Sequence, residues 1–373
     1  MSSKARGLAD LGNAFDDGAL SNRNLIINGA MKVAQRGTST TGVTSGVTYV
    51  ADRMPFSLSS LGTWTLTQES DGPDGFANSV KMDCTNADAS PAAADYVFFF
   101  HRIEGQDLQQ LGYGTSGAQS MVLSFYVKSN KTGNGTVGFF QTDNSFKHQS
   151  HQYTINAANT WERKSIIIPS DTSGVINDDN GRGFEIEWAL NSGSNFSAGT
   201  LQSTWTALNN TNRNPSNLGI GGSTSDYWQI TGIQLEVGDT ATPFEHRSYG
   251  ETLAKCQRYY EKSFPQGTAP AGGLTPLIDR RTAVAYGATY FGLVENFMTP
   301  KRATPTVVLY RDSNAGTSNS GTINWYSGSS WSEQAVYSTT AQETGFKADV
   351  GPGGLTSGRA YLAGYQFTAE AEL

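Results

Sequence analysis

The segment RGFEIEWALNSG, residues 182–193, states the rule that governs most of this chain. Phe184, Ile186, Trp188 and Leu190 alternate with Glu185 and Glu187, the period of two expected of a strand with one buried face. MVLSFYVKSN repeats the pattern, setting Met121, Leu123, Phe125 and Val127 against Ser124, Tyr126 and Lys128. In YWQITGIQLEVG the parity changes: Trp228 and Ile230 share one face, and Ile233, Leu235 and Val237 the other. Gly232 sits at the switch, where a bulge would restore the facing. The last run, YLAGYQFTAEAEL, puts Tyr361, Ala363, Tyr365, Phe367, Ala369, Ala371 and Leu373 on one side. SDGPDG, NKTGNG, NDDNGRG and SGSNFSAG separate the runs with turn chemistry. Many short strands joined this way predict an all-β protein. We expect a large jelly-roll-like β-sandwich over 24–247 and a smaller C-terminal β-sandwich over 265–373.

Composition narrows the function. The chain has 373 residues, with 16% charged and 42 glycines, so its polarity is mostly uncharged. A net charge of −7 and the lack of a long Lys/Arg run argue against nucleic acid as a partner. No apolar run approaches the roughly 18 residues of a membrane helix, so no membrane insertion is expected. The N-terminus, MSSKARGLADLGNAFDD, lacks a signal-peptide core, which implies assembly in a cytoplasm. Cys84, in SVKMDCTN with Val80 and Met82 on its face, reads as a small buried hydrophobe.

Residues 1–23 form a separate leader. Leu8, Leu11 and Phe15 make one short amphipathic stripe, broken by DDG at 16–18. So short a helix needs a partner surface, in this protein or in another, to be stable.

One helix is predicted, over 248–264 in SYGETLAKCQRYYEKSF. Ser248 and Glu251 fit a capping box, and Pro265 is a stop. Tyr249, Leu253, Cys256, Tyr260 and Phe264 recur at near-heptad steps. The stripe reads either as a linker helix docked on its own domain or as a seam where identical helices meet about an axis.

Three stretches resemble segments of tail fibre proteins of tailed bacteriophages, those of marine phages infecting cyanobacteria among them. They are NRNLIINGAMKVAQRGTS at 22–39, DYWQITGIQLEVGDTATPFEHRSYGE at 226–251 and KCQRYYEKS at 255–263. The ending, with PKRATPTV at 300–307 and AEAEL at 369–373, is similar to the C-terminal domain of such proteins, and the leader to their N-termini. Q-L-E-x-G-x-x-A-T-P-F-E resembles the closing strand of a carbohydrate-binding-module-like jelly roll. The resemblance implies a non-enzymatic homotrimer in the virion. Its N-terminus would attach to other tail or virion proteins through the leader, and its far end would contact host cell-surface polysaccharide. No cofactor is implied.

Candidate chemistry is sparse. Glu185 and Glu187 lie on one strand face roughly 6.8 Å apart, within the roughly 6.5–9.5 Å of an inverting glycosidase pair. They would serve a polysaccharide depolymerase tailspike, or simply mark a wet face. His148 and His151 in KHQSHQY read as a solvated loop, Asp178 and Asp179 as a turn, and no metal set is distinctive. Trp161, Trp188 and Trp228 read as core. Trp325, Tyr326 and Trp331 flank a Gly/Ser turn in TINWYSGSSW and are candidate sugar contacts, with Trp205 as a second choice. A capsid-decorating fibre or a structural adaptor is the remaining alternative.

Overall fold

A computed structural model describes residues 22–143, 145–271, 280–311 and 321–373. The leader, with Leu8, Leu11 and Phe15, falls outside the described residues. The chain divides into two compact units. The first holds 22–32, Thr41–Thr48 and Met54–Ser248; the second holds Val33–Thr40, Tyr49–Arg53 and Tyr249–Leu373. Both are built of strands, as the alternation predicts.

The first unit is organised by one hydrogen-bonded sheet. In chain order its strands are β1 (Ser39–Tyr49), β2 (Pro55–Glu69), β3 (Ser79–Asn86), β4 (Tyr96–Glu104), β5 (Met121–Ser129) and β6 (Gly133–Gln141). They continue with β7 (Lys147–Ile155), β8 (Glu162–Ile168), β9 (Arg182–Ser192), β10 (Thr206–Ala207) and β11 (Tyr227–Val237). The order is β10-β7-β6-β9-β4-β2-β3-β11-β5-β8, with β1 beside β2. β2 bends at Ser60 and Gly62, both at positive φ, so its first half pairs with β4 and its second with β3. That bend folds the sheet into two facing layers. Phe125 of β5 meets Trp188 of β9 at 5.6 Å, and Phe99 of β4 meets Trp228 of β11 at 5.9 Å. The Trp228 indole N–H donates to the Tyr153 hydroxyl at 3.1 Å, so the buried polar atom is satisfied. Cys84 is buried and unpaired, as its face implies.

Within the first unit, residues 22–29 and 233–245, far apart in sequence, are hydrogen-bonded neighbours. Leu25 N–H donates to Leu235 O and Ile233 N–H to Gly29 O. Glu245 accepts from the N–H groups of Asn22 and Asn24. A Cβ on Gly29 would sit 2.0 Å from the Ile233 carbonyl, so only glycine fits. The parity switch in β11 is a bulge between Thr231 and Gln234, with Gly232 at φ +61.

The second unit's strands are β12 (Tyr260–Lys262), β13 (Arg280–Ala285), β14 (Phe291–Asn296), β15 (Thr306–Arg311), β16 (Thr322–Tyr326), β17 (Trp331–Gln342), β18 (Gly345–Val350) and β19 (Ala360–Glu370). β13-β14-β18-β17-β16-β19 pair in a ring, because β19 bonds both β13 and β16. The smaller sheet is thus closed into a six-stranded barrel. Phe291, Leu293, Ile323, Ala348, Val350 and Ala363 fill it, each at most 2% exposed. Beyond Gly364, β19 leaves the ring and pairs with β15 on one side and β12 on the other.

The helix is shorter than predicted, Tyr249–Gln257, and the chain is extended again from Tyr260. Pairing of Tyr260 with Glu370 and of Lys262 with Thr368 overrides the helical stripe. This corrects the predicted extent of the helix, 248–264. Cys256 and Tyr260 are buried and Leu253 is half-buried, while Tyr249 is exposed. The Tyr260 ring lies under the Arg36 guanidinium at 3.7 Å, and its carbonyl accepts from Gln35.

Candidate functional site

The barrel presents three connections at one end: 286–290 between β13 and β14, 327–330 between β16 and β17, and 351–359 between β18 and β19. The third is tied to the β13–β14 hairpin by Leu355 N–H to Ala288 O (2.9 Å) and Gly358 N–H to Ala285 O (2.7 Å). β12 and β15 lie at the other end of β19.

Aromatic side chains gather at this connected end. β17 carries a bulge between Val336 and Ser338, so Val336 turns inward while Tyr337 and Ser338 both turn outward. Tyr337 is 71% exposed and Tyr286 55% exposed. Between them stands Tyr290, its ring 6.3 Å from Tyr286 at an interplanar angle of 15° and 5.1 Å from Tyr337. The three rings make a shelf beside the outer face of β17 and β18. Asp349 anchors it, accepting from the Tyr286 hydroxyl at 3.0 Å, Lys347 at 3.0 Å and Ser338 at 3.2 Å. Partial burial works against the Asp349 charge, but these donors outweigh it and hold its carboxyl below the usual range.

Of the residues singled out in the sequence, Tyr326 and Trp331 face each other across the 327–330 turn, ring centroids 5.5 Å apart. Trp331 opens a strand rather than lying in a loop, and is 36% exposed. Trp325 alternates to the other face: its ring packs on Phe291 and Tyr361 against the barrel core, which removes it from the sugar-contact set. Trp205 is in the first unit, half-buried against Tyr113 and Phe184, with its N–H donated to Pro169 O at 2.8 Å. Tyr286, Tyr290 and Tyr337 were not singled out, since about fifty residues separate the first from the last and no local pattern joins them.

Glu185, Glu187 and His148 occupy the outer face of β4, β6, β7 and β9. Phe184, Ile186 and Trp188 point inward and Glu185 and Glu187 outward, as alternation requires, yet the glutamates are not wet: they are 6% and 0% exposed. The β9–β11 connection covers them. Its Arg213 bonds Glu187, and its guanidinium lies 4.6 Å from the Phe98 ring and 5.2 Å from Phe196. Glu185 accepts from Arg102 at 2.6 Å and Arg182 at 2.7 Å. Both carboxylates are engaged by arginines rather than presented to a substrate. Asp179 accepts from Gly181 N–H in a turn, as read. Among the described residues no group of three or more acidic, His or Cys side chains could hold a metal, and no helix is long and apolar enough to cross a membrane.

His148 and His151 are on strand β7, not in a loop. His148 is 1% exposed and packs on Phe140 at 4.6 Å. Burial, then the nearby Arg213 and His151, push its pKa down to about 3. The unfolded chain takes this proton near pH 6.5 and the folded chain does not. Stability is therefore full above about pH 6.5 and is lost as pH falls toward 3, by up to about 1.4 kcal/mol per pH unit. Denaturant titrations at pH 7 and pH 4.5 should show a smaller acid loss in His148→Gln than in the parent. Equal losses would mean that His148 is protonated in place.

Nothing among known protein families matches the sequence, and nothing among curated proteins does. Solved structures do show similarity. One is the enzymatically active domain of tailspike protein 4 of Bacteriophage CBA120, at 12% identity and a TM-score of 0.31, over 58% of this chain and 21% of that one. The chain therefore spans about a fifth of that domain. A family 16 carbohydrate-binding module matches at 10% identity and a TM-score of 0.27, over 57% of this chain and 99% of the module. TmCBM61 in complex with β-1,4-galactotriose matches at 8% identity and a TM-score of 0.27, over 58% of this chain and 99% of that one. With scores this low, what the chain binds has to be read from its own side chains.

Proposed function

We propose that this chain is a non-catalytic virion protein, a phage tail fibre or related receptor-binding appendage, that attaches to host-surface polysaccharide through the connected end of its barrel. The observation that carries the reading is the shelf of Tyr286, Tyr290 and Tyr337. Aromatic rings gathered and exposed at one end of a barrel are costly to keep without a partner. Pyranose rings offer C–H faces to such a shelf, and their hydroxyls suit the hydroxyl and ammonium groups at its rim. Tyr326 and Trp331 form a second aromatic contact at the same end. The sequence resemblance supports the virion setting, a homotrimer, and attachment to the particle through residues 1–23. Three copies acting together would turn weak single contacts into useful adhesion. A depolymerase would need Glu185 and Glu187 free for a substrate, and both are held by arginines.

Binding of the purified protein to a printed array of bacterial polysaccharides tests the reading. Tyr337→Ala should weaken binding roughly tenfold or more, with little change in melting temperature because the ring is 71% exposed. Trp331→Ala should weaken it less. Unchanged binding by Tyr337→Ala would remove the shelf from the function.

A further inference from the structure

The shelf does not end at its rings. Along the outer face of β14, β18 and β17, the register places Asp349 beside Ser338, Lys347 beside Thr340 and Gly345 beside Gln342. Val294 pairs with Lys347 and Asn296 with Gly345 on the other side. Of these, Val294, Asn296, Thr340, Gln342, Gly345 and Lys347 line a groove of about 350 Å³ that begins at Lys347, next to the shelf, and runs to Gln342 and Thr344. From Tyr337 to Gln342 the strand rises about 17 Å, room for roughly three or four pyranose units in a row.

We infer that this groove and the shelf form one continuous site for the interior of a linear, uncharged polysaccharide. The inference rests on the glycan-binding reading above and specifies its ligand. Three features select that class. The lining offers amides and hydroxyls, from Asn296, Gln342 and Thr340, which can both donate to and accept from sugar hydroxyls. Its one cation, Lys347, has its charge offset by Asp349 at 3.0 Å, and the Glu295 carboxylate is taken by Arg281 and the Tyr365 hydroxyl. An acidic chain would therefore find no unmatched positive charge. Val294, 72% exposed, gives the sugar an apolar contact at mid-groove. The site is open along the strands, so a chain can pass through it without presenting an end.

Competition on the array tests this, using soluble neutral and uronate-containing oligosaccharides of about two to eight units. Neutral chains of about four units or more should compete best, with little effect of salt. The double variant Asn296→Ala/Gln342→Ala should weaken binding of the longer chains roughly tenfold while leaving disaccharide binding unchanged. Thr340→Ala serves as a second variant should the double one fold poorly. If the parent binds no glycan, the functional reading itself fails. If Tyr337→Ala weakens binding but the groove variants do not, or if uronate chains are preferred, the shelf stands and the groove inference is overturned. Loss of self-association in the groove variants, with glycan binding intact, would assign the groove to contact between copies and also overturn it.

Discussion

Glu372→Ala should destabilise the second unit by roughly 3–5 kcal/mol, more than any other single change near its C-terminal strand. Glu372 bonds Arg53, which is 2% exposed, and accepts from Arg36 at 3.3 Å. Tyr259 lies over the Arg53 guanidinium at 3.5 Å, and Tyr260 over that of Arg36 at 3.7 Å. Asp52, accepting from the Gln35 backbone N–H at 2.9 Å, is a further carboxylate near Arg36, at 3.9 Å. Removing Glu372 takes away the carboxylate that Arg53 bonds in a buried setting, and the loss of that charge pair sets the size of the effect. Glu370→Ala is the control, because its side chain is 51% exposed and its contact with Arg36 is long, 3.7 Å; it should cost under about 1 kcal/mol. Denaturant midpoints of the two variants measure the difference. Similar losses would mean that water reaches Arg53.

The second large effect is expected in the first unit. Arg213→Ala strips the partner from Glu187, which is 0% exposed, and removes a guanidinium packed on Phe98 and Phe196. A loss of roughly 3–5 kcal/mol should follow. Adding Glu187→Leu should recover much of it, since replacing both members of a buried pair with apolar groups is often near neutral. A single-variant loss below about 1 kcal/mol would show that the β9–β11 connection does not seal the face. This test also bears on the glycosidase reading, because the cover it measures is what keeps Glu187 from a substrate.

Alternation was enough to identify strands such as β5 and β9, but not β7, which read as a loop at His148 and His151. Met121, Leu123, Phe125 and Val127 are all fully buried, as are Phe184, Ile186 and Trp188. Gly232 was legible as a bulge because a change of parity within one strand has few other solutions. The wetness of Glu185 and Glu187 was not legible, since a period of two sorts residues into two faces without saying what covers either. The aromatic site was only partly legible: Tyr326 and Trp331 flank one turn and Tyr286 and Tyr290 share one connection, but Tyr337 meets them only through the pairing of β14, β18 and β17.

What the sequence by itself determined is therefore local: which residues extend, which face of each strand is apolar, and where the turns fall. Those follow from steric preference and periodicity over a few residues. Only the tertiary structure decided that Tyr260 joins a strand, that the smaller sheet closes through β16 and β19, and that 33–40 and 49–53 belong with the C-terminal unit. Each of these depends on hydrogen bonds or buried charges between residues far apart in the chain. YYEK at 259–262 suits a helix or a strand about equally well, so its state is set by the edge of β19 that it can satisfy.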